Sequence, residues 1–168
     1  MSDASVSEAM SDPVAQDLLA SRNPARISYV GLDGTPRVVP VGFHWNGEAL
    51  IIGTVPRAPK VAALRERPAV ALTIDTGPPA WPPKVLLIRG TATVQIVDEV
   101  FPEYILASQK LTPPEEFPAW EEGVRALYDQ MARIEVTPTW VRIHDFETRI
   151  PKAVEDLVQA KFGQGPAT

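Results

Sequence analysis

The sequence predicts a mainly β fold with peripheral helices, an antiparallel barrel or sandwich, from three observations. Two turn dipeptides, Asp33-Gly34 and Asn46-Gly47, each separate strand-like apolar runs, and both are strong hairpin signals. No helix-length pattern lies between them, so the strands they join run antiparallel and not through a parallel crossover. Two further strand-like runs, 85–97 and 134–146, are long enough to cross a curved sheet.

In chain order, 1–12 is rich in Ser, Ala and Asp and is expected to be mobile. Residues 14–21 predict a short helix with Leu18 and Leu19 inward, so structure is expected from Pro13. The first strand covers 27–32. The second covers 37–45, with Val39, Val41, Phe43 and Trp45 alternating onto one face. A third strand follows at 49–54. Residues 60–67 form a helix, with Pro59 in its first turn, Val61 and Leu64 on one face, and Pro68 as its stop. A fourth strand covers 69–75, a Pro/Gly loop around Trp81 covers 76–83, and the strand at 85–97 bends at Gly90. Helices are expected at 99–109 and 119–133, split by Pro113-Pro114. A last strand at 134–146 and an amphipathic helix at 154–162 follow. The expected organisation is one domain at 13–162 with a flexible tail at 163–168.

Composition narrows the function. The 168 residues suit a single core. Cysteine is absent, which removes disulfides, thiolate nucleophiles and cysteine-ligated metals and fits a reducing compartment. The N-terminus carries Asp3 and Glu8 where a secretory signal wants positive charge, and no long uncharged apolar span follows. A cytoplasmic protein without a membrane partner is expected. A net charge of −5, with no aromatic and basic residues alternating along a strand, argues against nucleic acid. With only His44 and His144, no HExxH spacing and no G-x-S-x-G elbow, neither a metal site nor a serine triad is expected.

The positive signal lies at 26–75. An apolar strand ends at Gly53-Thr54, and Arg57-Ala58-Pro59-Lys60 opens a helix. A strand end holds a flat ring, a helix N-terminus offers free N–H groups, and Arg57 and Lys60 add full charge. The pattern is an anion cradle for a phosphate-tailed cofactor. Its bland alternative is two solvated charges and an ordinary strand-end Thr54.

Over 24–146 the chain resembles the pyridoxamine 5′-phosphate oxidase-like family of flavin-binding split barrels. The resemblance rests on Gly34-Thr35-Pro36-Arg37-Val38-Val39-Pro40-Val41, Gly53-Thr54, Lys60 with its helix, Arg67-Pro68-Ala69-Val70-Ala71-Leu72, and Arg89-Gly90-Thr91-Ala92, in that order. It implies an antiparallel split β-barrel and a homodimer with two flavin sites at the interface. It further implies that Val38, Val39, Pro40 and Val41 line the ring, that Thr54 and Lys60 hold the phosphate, and that Arg37 serves the ring or ribityl region. The family's phosphate site often has an Arg-Lys pair. Here Pro59 precedes Lys60, and Arg57 is left to supply the second charge.

The implied cofactor is flavin mononucleotide (FMN), with the deazaflavin coenzyme F-420 of some short relatives as the alternative. Arg22, Arg26, Arg57 and Lys60 are the cations available for a longer acidic tail. Trp140 is either core or a ring cover presented by the partner subunit. Arg142-Ile143-His144 matches only superficially the Arg-x-His pair of true pyridoxamine phosphate oxidases. The implied activity is an oxidoreductase passing a hydride or electrons to a small organic substrate or acceptor, within an apolar wall of Val39, Val41 and Phe43. His44 is the one weak proton-donor candidate. The rival class is a non-catalytic module binding a flavin, a haem-like group or another small ligand.

Overall fold

The computed structural model describes residues 3–77 and 79–163. Among them are six helices and seven strands: α1 (Asp3–Met10), α2 (Pro13–Ala20), β1 (Ala25–Val30), β2 (Pro36–Val41), β3 (His44–Trp45), β4 (Leu50–Thr54), α3 (Pro59–Glu66), β5 (Ala69–Asp75), β6 (Lys84–Asp98), α4 (Pro102–Leu111), α5 (Phe117–Leu127), β7 (Gln130–Asp145) and α6 (Lys152–Phe162).

Both glycine turns form as expected. Gly34 and Gly47 adopt φ of +80° and +100°, which a Cβ would strain. The Gly34 N–H donates to the Gly31 carbonyl, and Asn46 Oδ1 accepts from the Glu48 and Ala49 N–H groups. These turns build the hairpins β1–β2 and β3–β4. The expected strand over 37–45 is broken, however. Its first part pairs with β1 and its last two residues pair with β4, with Gly42 and Phe43 between them.

All pairings are antiparallel, in the order β2-β1-β5-β6-β7-β4-β3. The two edge strands, β2 and β3, are therefore consecutive in the chain. Val41 and His44 are three Cα steps apart, at most about 11 Å. The sheet curls until its edges nearly meet, and the chain, not a hydrogen-bond ladder, crosses the seam. This is a split barrel. Edge placement also explains how β2 tolerates Pro36 and Pro40.

The barrel interior holds Ile27, Phe43, Leu50, Ile52, Leu72, Ile74, Leu86, Ile88, Ile134 and Val136, with Val39, Val41 and Trp45 packed against them. The alternation expected over 39–45 is thus real, although two strands share it. Helix α2 contributes Val14, Ala15, Leu18 and Leu19 to the same core. Leu86 is wholly buried. Leu86→Ala is expected to cost about 2–5 kcal/mol of stability, from lost transfer energy plus a cavity. Urea unfolding of the full chain measures it, and a loss below about 1 kcal/mol would show that the barrel collapses around the site.

Two expectations need correction. The segment expected to be mobile, 1–12, carries α1, whose Val6 and Met10 are buried in the core. Its link to α2 is tied by the Gln16 amide, which donates to the Met10 carbonyl at 2.6 Å. Asp12 caps α2 through the Val14 N–H and also accepts two bonds from Arg149, at 2.6 and 3.2 Å. The Arg149 guanidinium beside it holds the Asp12 carboxyl below its ordinary value. The helix expected over 119–133 ends at Leu127, and β7 begins at Gln130, because Gln130 to Arg133 pair with Asp98 to Gln95. Tertiary pairing overrides local propensity there. The bend expected at Gly90 is a register shift between Arg89 and Gly90, where a Cβ would stand 2.6 Å from the Thr137 carbonyl. The flexible tail expected at 163–168 lies, beyond Gly163, outside the described residues.

A second apolar cluster sits outside the barrel. There Ala49, Ile51, Val100, Phe101 and Met131 are covered by Tyr104, Ile105, Val124 and Tyr128. The outer face from β2 to β7 stays open. Register aligns its side chains in cross-strand rows: Val38, Ser28, Ala71, Arg89 and Trp140 in one, and Pro40, Arg26, Thr73, Leu87 and Arg142 in the next. Val38 is 65% exposed, and Ala71 and Arg89 are exposed too.

Candidate functional site

A cavity of about 390 Å³ opens where β2, β4 and α3 meet the outer helices, a size suited to a cofactor. Pro40, Val41 and Gly42 form one wall, Gly53 the floor, and Lys60 projects in from the first turn of α3. Pro59 at the first helical position starts α3, and the Arg67 N–H closes it on the Ala63 carbonyl just before Pro68. That places Lys60 beside the strand ends.

The opposite wall is one face of α4, Tyr104, Ala107, Ser108 and Leu111, with Thr112 and Trp120 beyond it. Both ends of α4 are anchored. Near its start Glu103 accepts from Arg133 at 3.0 Å, and Arg133 also holds Glu135 at 2.7 Å. Burial pushes the Glu103 carboxyl up, but a backbone N–H and then Arg133 more than offset it, so it stays below its ordinary value. Near the end of α4 Lys110 donates to the Leu19 carbonyl at 3.0 Å and lies 4.0 Å from the Phe43 ring centre. Tyr104 packs directly on Gly53, where an added Cβ would stand 2.3 Å from its ring. Trp120 lies 5.9 Å from Tyr104 and 5.7 Å from Phe117, extending the aromatic wall.

Lys60 is the cation of this cavity. It is half-buried, and no ion pair or hydrogen bond holds it among the described residues. Burial pushes its ammonium below the ordinary lysine value. A desolvated ammonium beside apolar and aromatic walls is a site short of one anion. Glycines at 42 and 53 let a flat group approach the backbone. A ring with a phosphate tail fits this donor set.

The sequence-predicted residues divide. Pro40, Val41 and Lys60 meet in the cavity. Val39 turns inward onto the core, Phe43 is buried in it, and Val38 stands on the open outer face. Thr54 ends β4 opposite Ala132, outside the cavity lining. Arg57 is exposed in the turn closed by the Ala58 N–H on the Val55 carbonyl. Arg37 is held by Asp33 at 2.7 Å and by Thr35, and lines a separate groove with Pro59 and Ala62. The Thr35 and Arg37 bonds hold the Asp33 carboxyl down to about 2.

Trp140 is half-buried on the outer face, four strands from β2, with Arg89 4.5 Å and Arg142 5.7 Å from its ring centre. His44 faces a different cavity with Lys110. Burial, then the Lys110 charge, push its imidazole below its ordinary value. The residues missed in the sequence are Gly42, Tyr104, Ala107, Ser108, Leu111, Thr112 and Trp120. The signal was available on α4, where 104, 108 and 111 fall on one helical face.

A larger cavity of about 620 Å³ lies between α1 and the β3–β4 turn, but its one charged lining residue is Glu48, which disfavours a phosphate. Among the described residues no group of three His, Cys, Asp or Glu stands where it could hold a metal, and no helix is long and apolar enough to cross a membrane.

The pyridoxamine 5′-phosphate oxidase family profile matches residues 11–145, spanning β1 to β7 and the whole cavity. The chain belongs to this family. Its members generally bind a flavin. No curated protein matches the chain. Among solved structures, an F420 reductase is 27% identical with a TM-score of 0.58, over 76% of this chain and 94% of that one. HutZ, the heme storage protein from Vibrio cholerae, is 18% identical with a TM-score of 0.57, over 79% of this chain and 92% of that one. A conserved hypothetical protein from Mycobacterium tuberculosis is 15% identical with a TM-score of 0.55, over all of this chain and 91% of that one. The last two share the fold.

Proposed function

We propose that the protein is a dimeric oxidoreductase that holds FMN in the Lys60 cavity and passes a hydride or electrons to a small organic substrate or acceptor. The observation that carries this is the half-buried Lys60 ammonium without a counter-ion, set between strand-end backbone and an aromatic wall. Lys60 holds the phosphate. Pro40, Val41 and Gly42 border the ring, and Tyr104 and Trp120 keep water from its far side. The bound ring supplies the redox chemistry, so the chain itself needs no catalytic triad. Burial, then the neighbouring Tyr128 phenol, push the Tyr104 phenol up despite a hydrogen bond with Ser108, so it keeps its proton at neutral pH and serves as the donor to substrate.

The open outer face supports the homodimer. It is wide, partly apolar and carries no helix, the pattern of a surface awaiting a partner. In the first cross-strand row, Val38 and Trp140 lie symmetrically about Ala71 on β5. A two-fold axis along β5, with the outer faces packed together, brings Trp140 of one subunit over β2 of the other. In that arrangement Trp140 and Arg89 join the ring end of the partner's site, which neither chain completes alone.

The test is a fluorescence titration with FMN, with oligomeric mass from light scattering. Micromolar or tighter FMN binding by a dimer is expected. Affinity should fall as pH rises, beginning below the ordinary lysine value, because Lys60 must be protonated to hold phosphate and its ammonium is already depressed. A monomer that binds no FMN at any pH overturns the reading. The 27% identical F420 reductase favours a second reading, in which the same cavity takes the deazaflavin. Tighter binding of that ring in a parallel titration would select it. Binding with no turnover of any acceptor would instead support a carrier module.

A further inference from the structure

Helix α6 has no place in its own subunit. Neither apolar cluster includes any of its residues. Val154, Leu157, Val158 and Phe162 form one stripe at i, i+3, i+4 and i+8, and Leu157 and Phe162 are 61% and 77% exposed. Yet its origin is fixed. The Arg149 guanidinium grips Asp12, and the Asp145 and Arg149 backbones bridge, so the chain leaves β7 at a defined point.

We propose that α6 of each subunit closes the Lys60 cavity of the other. The inference rests on the dimeric site proposed above. With the two-fold along β5, the rows keep their order, so Trp140 and Arg142 on β7 face Val38 and Pro40 on the partner's β2. One row further, β7 reaches His144 and Asp145 while β2 runs into Gly42, at the cavity wall. The segment that leads into α6 therefore arrives at the partner's cavity mouth.

That mouth is chemically matched to α6. Pro40, Leu111 and Trp120 offer apolar surface to the stripe. Arg22 donates to the Thr112 carbonyl at 3.5 Å and has no carboxylate partner among the described residues, while Glu155 flanks the stripe with none either. The remaining α6 charges near its start, Lys152 and Asp156, pair with each other at 2.6 Å. Closure by α6 buries the stripe and keeps water and iodide from the ring.

The test compares the full chain with a version ending at Ile150. Because α6 touches neither core, the truncated chain is expected to fold and remain a dimer by light scattering. Its FMN affinity should fall about tenfold, and iodide should quench the bound flavin markedly more. Leu157→Glu with Phe162→Glu in the full chain should reproduce both effects. Mixing the truncated chain with full-length Lys60→Ala, under subunit exchange, should restore tight sites, since one supplies the cavity and the other the helix. A full-length dimer that binds FMN, with truncation changing neither affinity nor quenching, overturns this inference alone. No recovery on mixing places α6 over its own cavity and overturns it too. A full-length chain that is monomeric or takes neither ring system overturns the dimeric site, and the inference falls with it.

Discussion

Lys60→Ala is expected to weaken FMN binding by about ten- to a hundredfold while leaving the fold intact. A charge-assisted hydrogen bond contributes about 1.5–3 kcal/mol, and each 1.4 kcal/mol is about a factor of ten in affinity. The same change removes a half-buried ammonium that has no counter-ion among the described residues and whose charged form burial already disfavours. Stability is therefore expected to stay level or rise slightly. This opposite movement of affinity and stability separates a ligand-binding lysine from a structural one. Arg57→Ala, at an exposed turn outside the cavity lining, is expected to cost threefold or less, in keeping with about 0–1 kcal/mol for an exposed charge. The comparison needs FMN titrations and urea unfolding of both single variants and the double. Unchanged affinity in the double variant would remove the anion cradle. Loss of the dimer would reassign both residues to the interface.

Gly53→Ala is expected to damage both the fold and the cavity. The new methyl would stand 2.3 Å from a Tyr104 ring atom and 3.1 Å from Phe101. Tyr104 cannot swing away cheaply, because α4 is anchored at one end by Arg133 and at the other by Lys110. Overpacking of this kind costs about 1–3 kcal/mol. The displaced ring moves into the cavity it lines, so FMN affinity should fall as well. Tyr104→Leu added to Gly53→Ala should recover stability but not the aromatic wall. A Gly53→Ala protein with unchanged melting temperature and unchanged FMN affinity would show that α4 shifts as a unit and that Tyr104 does not define the site.

Local chemistry alone determined several parts of this protein. Asp33-Gly34 and Asn46-Gly47 determined two hairpins, because φ > 0 in a tight turn is a demand that only a few residues meet. Pro59 and Pro68 bounded α3, because proline fits a first helical turn and stops a helix it follows. With α3 placed after β4, Lys60 at the strand ends followed.

The sequence also contained the alternation of Val39, Val41, Phe43 and Trp45, but not its interruption. Residues 36–41 and 44–45 ended on opposite edges of the sheet because their partners, β1 and β4, sit beside strands far along the chain. No signal within 37–45 reports those partners. The start of β7 at Gln130 and the burial of Val6 and Met10 in α1 were hidden for the same reason, since each depends on what lies opposite and not on neighbours in sequence. So was the α4 wall: Tyr104 became a site residue only when Gly53, fifty-one positions earlier, left room for its ring. Turns and helix stops are decided within a few bonds. Which strand becomes an edge, and which aromatic faces a cavity, is decided by long-range pairing and packing, and only the tertiary structure holds that information.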